Sequence, residues 1–384
     1  MKNKITILLG VFFLVSCKST MPQVAVKPHP ADKNATPATV ALYQNLFAAK
    51  QKGYMFGHQD DLAYGVNWRY EAGRSDIKDV TGDYPAVYGW DLGRIEDNAD
   101  KDIDGVPFSK QQQYVKEVYD RGGVNTFSWH INNPLTGKDA WDNTPGTVAA
   151  VLPGGAKHDV FKSWLDSAAA YFLTLKGSDG NAVPILFRPY HEFTGNWFWW
   201  CKNTTTPEEF KALWKFTVTY FQKKGVHNLI YVYNTSDSGV AAKADFMEYY
   251  PGDDWVDIVS FDIYQGGEAV AQRQKFEADT AKLVAIIDEV GEEHNKLTAI
   301  AETGFEQIPY ATWFTETLTN AIGNHQLSYV LLWRNHGWNA QITPPRMHYY
   351  APYKGHTYEK DFVQYYNLPQ TLFQNDVTPL KLYK

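Results

Sequence analysis

Two glutamates, Glu192 and Glu302, lie at the ends of two apolar segments that are far apart in the chain. The segments, Ile185–Glu192 and Leu297–Gly304, are rich in residues that favour buried β-strands. A carboxyl group beside a buried strand is costly unless a partner or a function compensates it. Cleavage of a glycosidic bond uses two carboxyl groups, one as acid and the other as nucleophile or as base for water. The pair therefore indicates glycoside hydrolysis.

The surroundings of the two glutamates predict different roles for them. Aromatic residues follow Glu192 closely, among them Phe193 and Trp197, and an apolar environment favours a protonated carboxyl group. Hydrogen-bond donors stabilise the charged form, and we expect Tyr264 and a barrel arginine to supply them to Glu302. We therefore expect Glu192 to be the acid and Glu302 to be the nucleophile.

Eight strand-like segments alternate with helical patterns along the chain. Each is mostly apolar and rich in Val, Ile, Tyr, Phe or Trp, as expected for parallel strands that are covered on both faces. Eight alternations predict a single (β/α)8 TIM barrel of the α/β class. A doubly wound sheet is the alternative, but no glycine-rich dinucleotide turn follows the first strand. The predicted strands are Tyr54–Gly57, Ala86–Asp91, Val124–His130, Val183–Glu192, Leu229–Asn234, Ile258–Tyr264, Leu297–Thr303 and Tyr329–Arg334.

Polar and aromatic residues stand at the C-terminal ends of these strands, where barrels of this type have their active sites. So many strands would not all end in this way for structural reasons alone. We therefore expect one face of the barrel to carry both catalysis and substrate binding. The residues concerned are His58, Gln59, Asp60, Trp90, Asp91, Ser128, Trp129, His130, Arg188, His191, Trp197, Asp262, Tyr264, Trp333 and Arg334.

The connecting segments are mainly helical, with one long exception. Pro207 and two acidic residues follow Thr206, which predicts a helix with Thr206 as its N-cap. Lys275–Glu289 has apolar residues at the spacing of one helix face. The irregular segment Asn132–His158 follows the third strand, and loops of this length are usually functional. We expect it to shape one end of a substrate cleft; if it blocks that end, it favours release of short products from chain ends.

The N-terminus has the features of an export signal. Two lysines precede the apolar run Ile5–Val15, and a small residue follows it. Leu14–Cys17 resembles the box of bacterial lipoproteins, in which the cysteine becomes the lipidated first residue. We expect residues 1–16 to be a signal peptide and Cys17 to carry lipid; an ordinary signal peptide is the alternative.

The next residues, 17–38, are polar and contain several prolines, which predicts a flexible tether. The catalytic domain is expected over residues 39–384. Lys18 and its neighbours lack the acidic residues that resemble a surface-export tag. We therefore expect the periplasmic side of a Gram-negative outer membrane rather than the cell surface, and a monomer.

Composition argues against several other classes of protein. The net charge is −7 and no basic block is present, which argues against nucleic acid. No apolar run beyond the N-terminus has the roughly 18 residues of a spanning helix, so the lipid is the expected membrane contact. Asp100–Gly105 starts like a calcium loop, but Gln111 stands where such a loop needs glutamate. With no zinc-ligand spacing among the histidines, we expect no metal and no cofactor.

From about Thr39 to the C-terminus, the sequence resembles glycoside hydrolase family 26, whose clan of retaining barrel enzymes has catalytic glutamates after strands four and seven. Arg188–Glu192, with Trp197 five residues beyond, resembles the acid/base motif of that family, which has histidine before the acid. Ala301–Gly304 resembles its nucleophile strand. Ser128–His130, Asp262–Tyr264 and Leu332–Arg334 fall where the family has groups that bind substrate and orient the nucleophile.

The resemblance implies a role for each matching residue. Glu192 would be the acid/base and Glu302 the nucleophile of a double displacement. The expected substrate-binding residues are His130, His191, Trp197, Asp262, Tyr264, Trp333 and Arg334. Among them, His191 would bind near the scissile bond and Tyr264 would hydrogen-bond Glu302. Trp197 and Trp333 would stack on the flanking sugars, and His130 and Arg334 would contact sugars on the non-reducing side.

The main activity of the family is endo-1,4-β-mannanase on mannan, glucomannan or galactomannan, with a mannobiose-releasing variant as one form. A polysaccharide or oligosaccharide of the β-mannan class is therefore the expected partner. One alternative keeps the chemistry and changes the polymer to β-1,3-xylan or mixed-linkage glucan. The other is a glycan-binding lipoprotein without catalysis, against which the two intact glutamates argue.

Overall fold

A computed structural model describes residues 27–384 of the chain. Eight parallel strands form a closed sheet, because the first strand pairs with both the second and the eighth. Helices surround this sheet, and the fold is the (β/α)8 TIM barrel that the sequence predicts. The strands are β1 Tyr54–Gln59, β2 Val87–Asp91, β3 Val124–Ser128, β4 Ile185–Arg188, β5 Leu229–Ser236, β6 Ile258–Tyr264, β7 Leu297–Gly304 and β8 Tyr329–Leu332.

All eight predicted strands are present, but the predicted β4 was much too long. It ends at Arg188 instead of Glu192, since Pro189 lacks the N–H that would continue the ladder. The strands β3 and β8 also end two residues earlier than predicted. His130, Glu192 and Arg334 therefore stand on loops beyond their strands.

The helices cover the outside of the barrel. Aromatic residues dominate the layer between helices and sheet, whereas smaller aliphatic residues such as Val87, Leu186 and Ala299 fill the barrel interior. The helices are α1 Pro37–Ala49, α2 Asp76–Thr81, α3 Phe108–Arg121, α4 Thr147–Val151, α5 His158–Thr174, α6 Pro207–Lys223, α7 Lys243–Met247, α8 Val270–His294, α9 Thr319–Ile322, α10 Glu359–Tyr366 and α11 Gln374–Val377.

Both helices predicted from the sequence are confirmed. Thr206 caps α6 through a bond from the backbone N–H of Glu209, and the Glu209 side chain accepts from the backbone of Thr206 in return. This reciprocal pair satisfies two N–H groups that the first turn of a helix leaves free. The helix predicted at Lys275–Glu289 is the middle of the longer α8.

Two small hairpins and one long loop rise above the C-terminal ends of the strands. One hairpin pairs Tyr64–Gly65 with Trp68–Arg69, and the other pairs Gly337–Asn339 with Arg346–His348. The loop predicted over residues 132–158 is irregular except for α4. The connections after β1, β3 and β8 thus surround the barrel mouth.

The ordered domain begins earlier than the predicted boundary at residue 39. The backbone N–H of Ala31 donates to Asp257 Oδ1 at 2.6 Å, and Asp32 pairs with His227 at 2.7 Å. Asp32 and Pro30 are buried. The last part of the predicted tether is therefore part of the barrel. The predicted signal peptide, Cys17 and the first part of that tether lie outside the described residues.

Within residues 27–384, no helix is long and apolar enough to cross a membrane.

The anchoring of residues 28–36 predicts that they stabilise the domain. A protein that starts at residue 39 should unfold with a free energy about 2–4 kcal/mol lower than one that starts at residue 27, because the buried Asp257 loses a charged hydrogen bond. Thermal and denaturant unfolding of the two proteins would measure the difference. Equal stabilities would show that the contacts of Ala31 and Asp32 contribute nothing.

Candidate active site

A buried guanidinium group organises the centre of the barrel mouth. Arg188, the last residue of β4, donates Nη1 to Asp262 Oδ2 at 2.6 Å and pairs through Nη2 with Glu302 Oε1. Nη1 also lies 3.3 Å from the Oδ1 atom of Asn234 at the end of β5. Breaking a buried pair of this kind typically costs several kcal/mol because a charge is left uncompensated. The position of Glu302 therefore depends on Arg188.

A bulge in β7 turns the Glu302 side chain towards this arginine. Phe261 pairs with Ile300, but the next residue, Asp262, pairs with Glu302, so Ala301 is an extra residue in the ladder. Side chains alternate between the two faces of a regular strand. Without the extra residue, Glu302 would face the helices, because Ala299 faces the barrel interior. With it, Glu302 joins Asp262 inside the mouth, where Tyr264 donates to Glu302 Oε2 at 2.7 Å.

Glu192 stands on a tight loop beyond β4. Its φ of 54° and that of Tyr190, 52°, lie in the left-handed region, which is uncommon for residues with side chains. Asn234 holds this backbone in place, since its Oδ1 accepts from the N–H of Glu192 at 2.8 Å. The Trp197 indole donates to Glu192 Oε2 at 2.7 Å. Strain of this kind is stored where the surroundings fix a functional group.

The carboxyl groups of Glu192, Asp262 and Glu302 are close together. One oxygen atom of each lies within 4.8 Å of one oxygen of the others. Carboxyl groups about 5–5.5 Å apart are the arrangement of retaining glycosidases. Three such groups could also hold a metal ion, but the Arg188 guanidinium already binds two of them.

Burial and the nearby charge of Glu302 raise the pKa of Glu192 to about 7. The hydrogen bond from Trp197 opposes this shift, so proximity to that indole is not its cause. Burial also raises the pKa of Asp262 well above its usual value, although Arg188 opposes this shift. The Glu192 carboxyl group can therefore carry a proton near neutral pH.

A chain of imidazole and carboxyl groups lies beside Glu192. His130 Nδ1 is 2.7 Å from Asp91 Oδ2, and its Nε2 is 3.2 Å from Nε2 of His191. Burial lowers the pKa of His130, but Asp91 more than offsets this and raises it above the ordinary value. Burial and then Arg188 lower the pKa of His191 well below that value. Nδ1 of His191 has no hydrogen-bond partner among residues 27–384.

Arg334 lies on the connection that follows β8. It forms an ion pair with Asp104 and donates to the Tyr64 hydroxyl at 3.3 Å. Asp104 belongs to the segment that only half fits a calcium loop. Its neighbour Asp102 accepts from the backbone of Asp104 and Val106, so these acids brace a loop around Arg334.

Tryptophans surround the carboxyl groups. Trp197 and Trp333 are half-buried at the mouth, and the backbone N–H of Trp333 donates to Thr303 on β7. Trp141, from the long loop, stacks on His130 with ring centres 5.2 Å apart and remains 48% exposed. Asn143 ties the same loop to Asn196 beside Trp197.

The structure places His130, His191, Trp197, Asp262, Tyr264, Trp333 and Arg334 at this face, around Glu192 and Glu302. Two predicted residues point elsewhere: Trp90 packs on Tyr114 of α3 and Trp129 packs on Phe187, both in the layer between sheet and helices. Cys17 lies outside the described residues. Sequence reasoning missed Asn234, because β5 ends without a charged or aromatic residue. Asp104 and Trp141 lie in two segments that the sequence singled out, Asp100–Gly105 and Asn132–His158, but only the folded loops bring them to Arg334 and His130.

Comparisons with known proteins agree with this geometry. Residues 31–346 match the model of glycosyl hydrolase family 26. The mannan endo-1,4-beta-mannosidase of Bifidobacterium adolescentis is 30% identical over 99% of this chain, which spans only 42% of that relative's length. That of Bacillus subtilis is 29% identical, with 68% of this chain and 73% of the relative covered.

Among solved structures, a GH26 beta-mannanase from Bacteroides ovatus superposes with a TM-score of 0.85. It is 42% identical, and the match covers 91% of this chain and 98% of that one. By its sequence, its fold and the position of its two glutamates, the chain belongs to glycosyl hydrolase family 26.

Proposed function

We propose that this protein cleaves β-1,4-mannosidic bonds in mannan, glucomannan or galactomannan with retention of configuration. The observation that carries the proposal is the close approach of Glu192 and Glu302, in a site where burial and the Glu302 charge raise the pKa of Glu192 to about 7. The names of the curated relatives and of the Bacteroides ovatus structure support mannan as the polymer.

In the first step, Glu302 attacks the anomeric carbon while Glu192 protonates the oxygen of the leaving sugar. Oε2 of Glu192 accepts from the Trp197 indole, so the transferred proton resides on Oε1. Arg188 and Tyr264 each bind one oxygen atom of Glu302 and so orient its carboxyl group. The products of this step are a glycosyl ester on Glu302 and a free chain end.

In the second step, Glu192 is a carboxylate and takes a proton from water. The water oxygen attacks the anomeric carbon, the ester bond to Glu302 breaks, and Glu192 is protonated again. Breaking the ester restores the Glu302 carboxylate and with it the negative charge that pairs with Arg188. Asp262, with Arg188 on one oxygen and Asn234 on the other, positions that arginine rather than a sugar.

The remaining side chains bind the sugars. When His130 is protonated it donates to both Asp91 and His191, so the His191 proton lies on Nδ1 and is free for a sugar hydroxyl. Trp197 and Trp333 offer faces for stacking on the sugars at the cleavage point. Nε of Arg334 is buried without a partner among the described residues, which suits a sugar hydroxyl on the non-reducing side.

The same chemistry on β-1,3-xylan or mixed-linkage glucan is the second candidate. One relative is named Endoglucanase H, 25% identical over 59% of this chain and 23% of its own length. From the sequence of residues 1–17, we further propose an exported monomeric lipoprotein on the periplasmic side of a Gram-negative outer membrane.

Replacing either glutamate should abolish mannan cleavage but in distinguishable ways. Glu302→Ala should lower kcat by roughly 10,000-fold on every substrate. Glu192→Ala should be comparably slow on mannan, yet keep much of its kcat/KM on an aryl mannoside whose leaving group needs no proton. Reducing-sugar release and phenol release measure the two reactions.

Anomeric proton NMR of the first products serves as the companion measurement, with β-anomers expected. Equal losses on both substrates for Glu192→Ala, or inverted products, would contradict the assigned roles. If wild type leaves mannan intact, the polymer assignment fails, and β-1,3-xylan and mixed-linkage glucan become the substrates to test.

The pH profile should report the titration of Glu192. Its protonated form is required for the first step, so kcat/KM should fall as the pH rises above about 7. Glu302→Gln removes a negative charge that raises the pKa of Glu192, and the pKa should therefore move down. Carbon-13 NMR of labelled glutamate measures the pKa of Glu192 in wild type and in Glu302→Gln. An equal pKa in the two proteins would rule out an effect of the Glu302 charge on Glu192.

The long loop over residues 132–158 predicts the product pattern. Its bonds fix it beside Trp197 and His130. If it closes that end of the cleft, early digestion of unbranched mannan should give one dominant disaccharide. A ladder of oligomers from the first minutes would show that the end is open.

A further inference from the structure

An exposed tryptophan stands at the barrel mouth, on the connection that follows β8. Trp338 is 62% exposed, whereas its neighbours Gly337 and Asn339 are buried. Trp141 and Trp338 are the two exposed tryptophans of residues 27–384, and both belong to connections above the C-terminal ends of the strands. The long loop follows β3, and the Trp338 hairpin follows β8, which is three strands away around the barrel.

The hairpin that carries Trp338 is firmly braced. Asn335, just before it, donates to Asp76 and to the Ala351 carbonyl, and accepts from the backbone of Tyr350 and Ala351. On its second strand, the Arg346 guanidinium and His348 both bind the Glu306 carboxylate. The exposed indole is therefore presented by a rigid element.

The hairpin continues the surface that holds Arg334. His336 lies 3.1 Å from the Arg69 guanidinium and packs edge-on against Tyr64, whose hydroxyl accepts from Arg334. Gly337 packs against the first hairpin near Gly65 and Asn67. Contacts thus lead without interruption from Arg334 through Tyr64 and His336 to the strand of Trp338.

We propose that Trp338 stacks on a main-chain sugar of the mannan that lies past Arg334, as an additional distal subsite. An indole face matches the apolar C–H surface of a hexose, and the exposed Arg69 beside His336 can donate to hydroxyls. The inference rests on the proposed function and extends it.

The test compares linear manno-oligosaccharides of increasing length. Trp338→Ala should lower the ratio of kcat/KM for mannohexaose to kcat/KM for mannotriose by about 10-fold, which is the effect of about 1.4 kcal/mol. Trp338→Phe should lose less, since it keeps an aromatic face. Leu173→Ala, an exposed apolar residue on the outer helix α5, is the matched control and should leave the ratio unchanged.

Calorimetric binding of mannohexaose to Glu302→Ala, with and without Trp338→Ala, gives a readout independent of turnover and should show the same loss. If wild type cleaves mannan but the ratio and the binding do not depend on Trp338, the inference fails and the proposed function stands. A loss confined to galactose-substituted oligomers would overturn the assignment to the main chain. If wild type neither cleaves nor binds these sugars, both proposals fail.

Discussion

The charge of one buried arginine is the constraint on which the site depends. Arg188 pairs with both Glu302 and Asp262, and an unpaired charge in the interior of a barrel would be expelled or would change protonation. Arg188 lies on β4, its partners Asp262 and Glu302 lie on β6 and β7, and Asn234 lies on β5. The residues of the site therefore meet only when these four neighbouring strands are paired in the barrel. The same arrangement leaves Glu192 near the charge of Glu302 without an ion pair of its own, and burial together with that charge raises the pKa of Glu192.

Much of this architecture could be predicted from the sequence, since apolar runs and strand ends are local features. All eight strands, both catalytic candidates and the capped helix α6 follow from residue types and spacing. The features that aim the side chains are not local. The extra residue Ala301 is visible only when β7 is aligned with β6, and regular alternation would have turned Glu302 outward. The left-handed backbone of Glu192 depends on Asn234, which is 42 residues further along the chain.

The aromatic residues show the same contrast between what is local in the sequence and what depends on distant residues. The sequence contains 13 Trp, 25 Tyr and 21 Phe, and most of those described form the layer between sheet and helices. Trp199 and Trp200 are completely buried there, while Trp197 turns to Glu192. Composition predicts the abundance of rings but not which ones face the mouth, because that choice depends on loop conformations that are fixed by distant partners such as Asn143 and Asn196.

The attachment of the first described residues has a geometric consequence. Ala31 and Asp32 bind Asp257 and His227, which precede β6 and β5 and so lie at the end of the barrel away from the mouth. A lipid on Cys17, as proposed, would hold the protein by its closed base. The cleft would then open away from the bilayer, and a long polymer could thread across it without approaching the membrane surface.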